Sequence, residues 1–246
     1  MRFPTLVLAI ILISLTLPVV SSQPIKVEEI SNYVIDVNVS GDGVHVKNVI
    51  TLKNTVDKPL VPGIGELRLQ KATPEKIGII PIPFTEKRSA IKVEKVKAYT
   101  DDGRNINVRV IYKENYTVIE YQIWYPVEPK GELTFVIEYF SPDMVEKGIL
   151  FKDVSFPVGA DVDIRNIEVK FNSDWNLVYV ENTRGAIPAK HMTFFTAEFS
   201  ILPLPNVGIK WSVTFWTAVT AVAFVSAVFI RLRTKTKEGE KGEKSD

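Results

Sequence analysis

The chain has no cysteine, only two histidines and three methionines, and almost no net charge, formally +1 over 246 residues. Without thiols there is no disulfide framework, no thiolate metal centre and no cysteine nucleophile. His45 and His191 stand alone in the chain, so the HExxH pattern of zinc proteases is missing. A GxSxG nucleophile elbow and a GxxxxGK[ST] phosphate loop are missing too. With the basic tail and Arg2 set aside, the middle of the chain holds 23 basic and 25 acidic residues. Such a balance offers no electrostatic footprint for nucleic acid. Neither a cofactor nor a nucleic-acid partner is expected.

Two uncharged apolar runs stand out, one at each end. The first belongs to MRFPTLVLAIILISLTLPVVSSQ, in which Arg2, the stretch Leu6–Leu17 and the small residue Ser22 form the three parts of a secretory signal. The expectation is a leader over 1–22, cut before Gln23. The second run, WSVTFWTAVTAVAFVSAVFI over 211–230, is long enough at about 1.5 Å per residue to cross a hydrocarbon layer of about 30 Å. Trp211 and Trp216 lie at its first end, where indoles favour the membrane interface, and Arg231 and Arg233 border its last. The basic side stays in the cytoplasm. This predicts a single-pass protein of the cell membrane, with an extracytoplasmic N-terminal domain and a cytoplasmic C-terminus. The tail 231–246 is short and highly charged, and is expected to remain unfolded.

Between the two runs the dominant period is two, the mark of half-buried strands. Tyr33, Ile35, Val37 and Val39 alternate with polar residues, and Gly41-Asp42-Gly43 supplies a turn with positive φ available. Val44 and Val46 begin the return strand, whose phase slips near Asn48-Val49, as at a bulge. Four further strands, from Ile91 to Tyr139, are joined by short turns, the first at Asp101-Asp102-Gly103-Arg104, and read as one meander. More strands are expected at 167–171, 177–180 and 191–199. The pattern predicts a mainly β fold: an antiparallel β-sandwich, Ig-like, of one or two modules, plus one C-terminal transmembrane helix. The stretch 61–89 is rich in proline and glycine and poorly periodic, and Gly63-Ile64-Gly65 reads as a turn. It divides an N-terminal β module at 23–88 from a second sandwich module at 89–205. A juxtamembrane linker at 206–210 then leads into the helix.

Signals for a site are few. Asp161 and Asp163 could face one way on an extended segment, but no calcium loop surrounds them, and a solvated surface is the simpler reading. Tyr121, Trp124 and Tyr125 could form a binding platform, although alternation puts Trp124 on the other face from the tyrosines, which favours core packing. The sequons at Asn38 and Asn115 are candidate glycosylation sites, Asn115 the better for lying in a turn. No catalytic or metal residues are identified.

The leading expectation is therefore a non-catalytic protein with a structural or protein-interaction role at the envelope, its partners the lipid bilayer and a membrane or cell-surface protein. The order of leader, sandwich, single helix and basic tail resembles that of the ribophorin I subunit of oligosaccharyltransferase. That likeness of layout implies an accessory subunit of a membrane enzyme complex. A third reading is an envelope glycan or peptide hydrolase with unassigned carboxylates. The wealth of Lys, Glu, Val and Ile suits a thermophile.

Overall fold

A computed structural model describes residues 26–73, 75–77, 80–81 and 87–242. The leader at 1–22 and its cleavage point lie outside the described residues. The chain begins with the hairpin of β1 (Glu28–Val39) and β2 (Val44–Asn54). Then come β3 (Gly63–Leu69) and four short strands, β4 (Lys71–Thr73), β5 (Lys76–Ile77), β6 (Ile80–Pro81) and β7 (Lys87–Ser89). The expected meander supplies β8 (Glu94–Thr100), β9 (Asn107–Tyr112), β10 (Thr117–Ile123) and β11 (Glu132–Ser141). After it run β12 (Val145–Lys147), β13 (Phe151–Gly159), β14 (Ile164–Ser173), β15 (Asn176–Glu181), β16 (Arg184–Ile187) and β17 (Met192–Ser200). Helix α1 (Trp211–Gly242) closes the described chain.

The larger sheets are one of six strands in the order β16-β14-β1-β2-β11-β8, one of three (β3-β10-β9) and one of four (β12-β13-β17-β15). This corrects the sequence reading in two ways. The sheets are not wholly antiparallel, because β1 pairs in parallel with β14, setting Tyr33 beside Ile167 and Val37 beside Phe171. Parallel neighbours need a long crossover, which leaves no mark in local sequence. The meander is also not one sheet. β8 and β11 pair in the large sheet, while β9 and β10 join β3. The Asp-Gly turn forms as expected, with Gly103 at φ +85 and the Thr100 N–H donating to the Arg104 carbonyl at 2.9 Å. Beyond the Tyr99–Asn105 bridge, however, its two arms diverge into different sheets. The first hairpin is flanked on both sides by strands from after Ser89, namely β14 and β11.

One face of the six-stranded sheet is buried. Ile35, Val37, Val46, Ile50, Phe135 and Ile137 point into it, and along β1 and β2 the intervening residues are more exposed. The two smaller sheets cover that face: Tyr121 packs on Phe135 at 5.2 Å between ring centroids, and Phe156 on Phe171 at 6.2 Å. No bulge occurs at Asn48-Val49. The alternation runs through β2 unbroken with Asn48 pointing inward, and the register slips at Ile30/Asn32 instead. A polar residue can hold a core position here because Tyr33 donates to its Oδ1 at 2.9 Å, while its Nδ2 donates to the Ile137 carbonyl at 3.2 Å. Burial, the largest cause, raises the Tyr33 phenol well above its ordinary range, so it stays a neutral donor.

The glycines behave differently from the expectation as well. Gly41 and Gly43 do not use positive φ, but a Cβ on Gly43 would lie 2.5 Å from the Ser141 carbonyl oxygen. Gly63-Ile64-Gly65 is not a turn but the start of β3, opposite Ile123 and Tyr121. A Cβ on Gly65 would lie 2.3 Å from the Tyr121 ring, so the missing side chain makes room for that ring. The helix departs from the expectation at its far end, running through the charged tail to Gly242 rather than stopping near Ile230. Once a helix is nucleated each added residue costs little, and Lys, Arg and Glu are good helix formers.

Replacing Asn48 with Ala strands the Tyr33 hydroxyl and opens a void, and should cost about 2–4 kcal/mol. Tyr33→Phe in the same chain should cost less when Asn48 is already Ala, as read from thermal denaturation in detergent. Strict additivity of the two losses would mean that the bond between them contributes nothing.

Candidate functional site

Strands β13 and β17 pair antiparallel, with Asp153 directly opposite Glu198. On the inward face Val154, Phe156, Ala197 and Phe199 belong to the core cluster. Period-two geometry then sends Phe151, Asp153, Ser155, Thr196, Glu198 and Ser200 to the outer face. An outer face is normally wet, yet Glu198 is fully buried. The chain after Ser200 folds back over it and brings the start of α1 against its carboxylate. The Trp211 N–H donates to Glu198 Oε1 at 2.7 Å, and the Ser212 N–H donates to both carboxylate oxygens, at 3.2 and 3.1 Å. The Ser212 hydroxyl donates to Oε2 as well.

The first turn of a helix has N–H groups with no partner inside the helix and carries partial positive charge. No acidic residue stands in the first turn of α1. Glu198, on a strand, therefore serves as the cap, and the helix start compensates a carboxylate that would otherwise be expensive to bury. Neighbouring contacts reinforce the joint. Lys210 Nζ lies 3.4 Å from Asp153 Oδ1 and 5.9 Å from the Tyr179 ring centroid. Phe151 meets Phe215 at 6.2 Å, and the Trp211 indole N–H donates to the Pro205 carbonyl at 2.9 Å. Burial pushes the Asp153 carboxyl up to about 6, Glu198 adds to the rise, and Lys210 pulls against it.

Two adjacent carboxylates, one with raised proton affinity, could also describe a hydrolytic pair. Here the Glu198 oxygens already accept from Trp211 and Ser212, and Lys210 lies beside Asp153, so both carboxylates are engaged by groups of the chain itself. Lys152, on the same strand, is buried with its ammonium 4.1 Å from the Trp175 ring centroid and 3.4 Å from Asp174.

The residues singled out from sequence are scattered. Trp211 is half-buried in the joint, whereas Trp216 is exposed and meets Phe215 edge-on at 5.6 Å. Arg231 is exposed further along α1, and Arg233 follows in the same helix. Asn115 is exposed in the β9–β10 turn, where its carbonyl accepts from Gln70 at 3.1 Å. The hydroxyl of its sequon partner Thr117 is buried and donates to the Ile91 carbonyl at 2.6 Å. Asn38 is exposed in mid-sheet, in register with His45 and Asn172. Asp163 is taken by Lys26 and by the Ala189 N–H at 2.8 Å, which hold its carboxyl below the usual range. Among the described residues no group of three or more His, Asp and Glu could hold a metal ion. Tyr121 is part of the core packing, while Trp124 is 61% exposed. Sequence reasoning missed Asp153, Glu198 and Lys210. Strand β13 went unread because Lys152-Asp153 breaks its apolar pattern, and the one available hint was a helix start without a local acidic cap.

No family model matches the chain. Over 132 residues it is 40% identical to an uncharacterized protein, MJ1395, of Methanocaldococcus jannaschii, covering 99% of that protein and 53% of this chain. Solved structures resemble it only distantly. A candidate nutrient-binding protein of Legionella pneumophila aligns at 10% identity with a TM-score of 0.39, over 70% of this chain and 67% of that one. The LTA4 hydrolase of yeast aligns at 13% identity with a TM-score of 0.38, over 75% and 32%. An M1 zinc metallopeptidase of Deinococcus radiodurans aligns at 10% identity with a TM-score of 0.29, over 71% and 39%. Likeness at this level carries no argument about activity.

Asp153 binds its proton more tightly folded than unfolded, so its contribution to stability is complete below 3.8 and is lost as pH rises through about 6. The difference in melting temperature between Asp153→Asn and the unaltered protein should therefore shift in the variant's favour across that window. A constant difference would contradict the assignment. Glu198→Ala should cost about 2–4 kcal/mol and speed proteolysis within 201–210, with Glu198→Gln intermediate. Unchanged cleavage would exclude the cap.

Proposed function

The chain belongs to the same family as the uncharacterized protein MJ1395 of Methanocaldococcus jannaschii, and from that premise we propose that it is a single-pass, membrane-anchored β-sandwich protein with a non-catalytic, protein-binding or structural role at the cell envelope. The segment Trp211–Arg231 has a mean hydropathy of 2.1, and none of its most apolar window is covered by the rest of the chain. A bare apolar helix of that length is stable in lipid and not in water. Its basic border keeps the C-terminus cytoplasmic and leaves the β-domain outside. Sandwich packing accounts for the way the six-stranded sheet receives Tyr121 and Phe156 from the sheets over it.

The observation that carries the functional reading is the grip of Glu198 on the start of α1. A domain on a loose tether samples every angle to its membrane. One capped onto its own anchor presents a fixed surface at a fixed height. Holding that pose costs conformational entropy, and the rigidity suits a partner in or on the same membrane, which then meets a pre-oriented surface. The Lys- and Glu-rich surface, with pairs such as Arg165–Glu29 at 2.7 Å and Arg184–Glu168 at 2.7 Å, suits operation at high temperature.

Purification of the full chain in mild detergent after crosslinking in native membranes should recover a stoichiometric membrane or surface protein, and Glu198→Ala should reduce that recovery without releasing the chain from membranes. A crosslink-free monomer in both forms would refute the binding role. Protease added to intact cells should trim the β-domain and spare the tail; protection of the β-domain would reverse the orientation. Glycan should appear on Asn115, exposed in a turn, and not on Asn38, held within strand β1, and mass spectrometry of both peptides checks this.

A further inference from the structure

We propose that the β12–β13 hairpin tip at 148–150, with the adjoining Ile201 and Leu202, is a second membrane contact that dips into the outer leaflet beside α1. The inference rests on the membrane-spanning reading of α1 and adds to it a lipid-binding surface on the β-domain. It starts from depth. Asp153 lies against Lys210, just before α1, and Phe151 lies against Phe215, in the second turn of the helix. Two strand residues advance about 6.6 Å, and five helix residues advance about 7.5 Å. Strand β13, followed backward, and helix α1 therefore descend side by side. The tip at 148–150 lies beyond Phe151 in the same direction and continues past the level of Phe215.

What stands at that depth is apolar. Ile149 is 87% exposed, the most exposed large hydrophobic side chain among the described residues. Ile201 and Leu202 are 48% and 44% exposed, and the Ile201 N–H donates to the Leu150 carbonyl at 3.3 Å, which ties the two segments into one patch. Hairpin tips ordinarily carry Gly, Asn, Asp or Ser. A contiguous apolar patch on a tip beside an apolar helix costs free energy in water and gains it in lipid. The tip is also built to keep its shape. The Gly148 N–H donates to the Phe151 carbonyl at 2.8 Å, and a Cβ at Gly148 would crowd that same oxygen at 3.0 Å. The occupant is thus the bilayer that receives α1, and the two contacts together fix the tilt of the β-domain.

Because the chain has no cysteine, single cysteines introduced in the full protein give unique labels. Ile149→Cys, Val219→Cys and Met192→Cys are labelled with one small fluorophore and reconstituted in phosphatidylcholine–phosphatidylglycerol vesicles. Met192 is the control: it is apolar and 57% exposed, but sits at the other end of the β13–β17 pair, opposite Gly159. Quenching is read with lipid-borne nitroxide and with aqueous iodide. The proposal expects the labels at 149 and 219 to be quenched by nitroxide and to lose quenching by iodide, and the label at 192 to behave oppositely. A label at 149 open to iodide while 219 stays lipid-quenched would overturn the second contact alone. A label at 149 shielded from both quenchers would assign the patch to a protein and overturn the lipid proposal. A label at 219 that lipid does not quench would remove the membrane-spanning reading and this contact with it.

Discussion

A carboxylate buried from solvent and a helix start whose N–H groups have no acceptor inside the helix meet at one point, and the architecture turns on that meeting. Glu198 sits fully buried on the outer face of a sheet, a position that would be unfavourable for a charged group left alone. The N–H groups of Trp211 and Ser212 would be equally costly to leave unmade at the foot of an apolar helix. Each satisfies the other, and the positive pole of the helix adds to the attraction. The consequence is mechanical. A segment that could have been a loose tether from 201 to 210 is drawn back over β13 and β17, and the helix leaves the domain at a set place and angle.

The core makes that joint possible through the strict period of the strands. Val154, Ala197 and Phe199 face inward and anchor β13 and β17 to the large sheet, and the same alternation fixes Asp153 and Glu198 outward, side by side. Polar groups within the core are used sparingly, and two asparagines are held by several bonds each. Asn48 links Tyr33 to the Ile137 carbonyl. Asn54 gathers two loops, donating to the carbonyls of Lys58, Val127 and Glu128 at 2.7, 3.1 and 3.1 Å while accepting from the Val56 N–H at 3.0 Å. Such knots rigidify a β-domain without disulfides, which is consistent with a chain that has no cysteine.

The proposed function rests on the geometry of this joint. The two carboxylates that most resemble an acid–base pair are occupied by the protein's own helix and lysine. On the proposed reading, a β-domain capped onto its own helix presents its surface at a constant height, as a structural or binding element would. The family relationship to MJ1395 spans 53% of the chain and brings no assigned activity with it.

Sequence alone determined the parts governed by local periodicity. Alternation located β1, β2, β8 to β11, β14, β15 and β17, since a half-buried strand must repeat every two residues. The uncharged run after Lys210 located the apolar helix to its first residue, because twenty consecutive uncharged residues bordered by arginine suit a helix in lipid far better than a strand or a loop. Three-dimensional packing decided everything that depends on residues distant in the chain. The parallel pairing of β1 with β14 and the division of the meander between two sheets arise from long-range contacts with no local signature. Asn48 read as a fault in a strand because its partners are Tyr33 and Ile137. Gly65 read as a turn because the ring that needs its space is Tyr121, on another strand. Glu198 read as an ordinary solvent-facing strand residue because the groups that bury it come from 211 and 212, and hydrogen bonding between an outward carboxylate and a returning helix is a property of the folded chain.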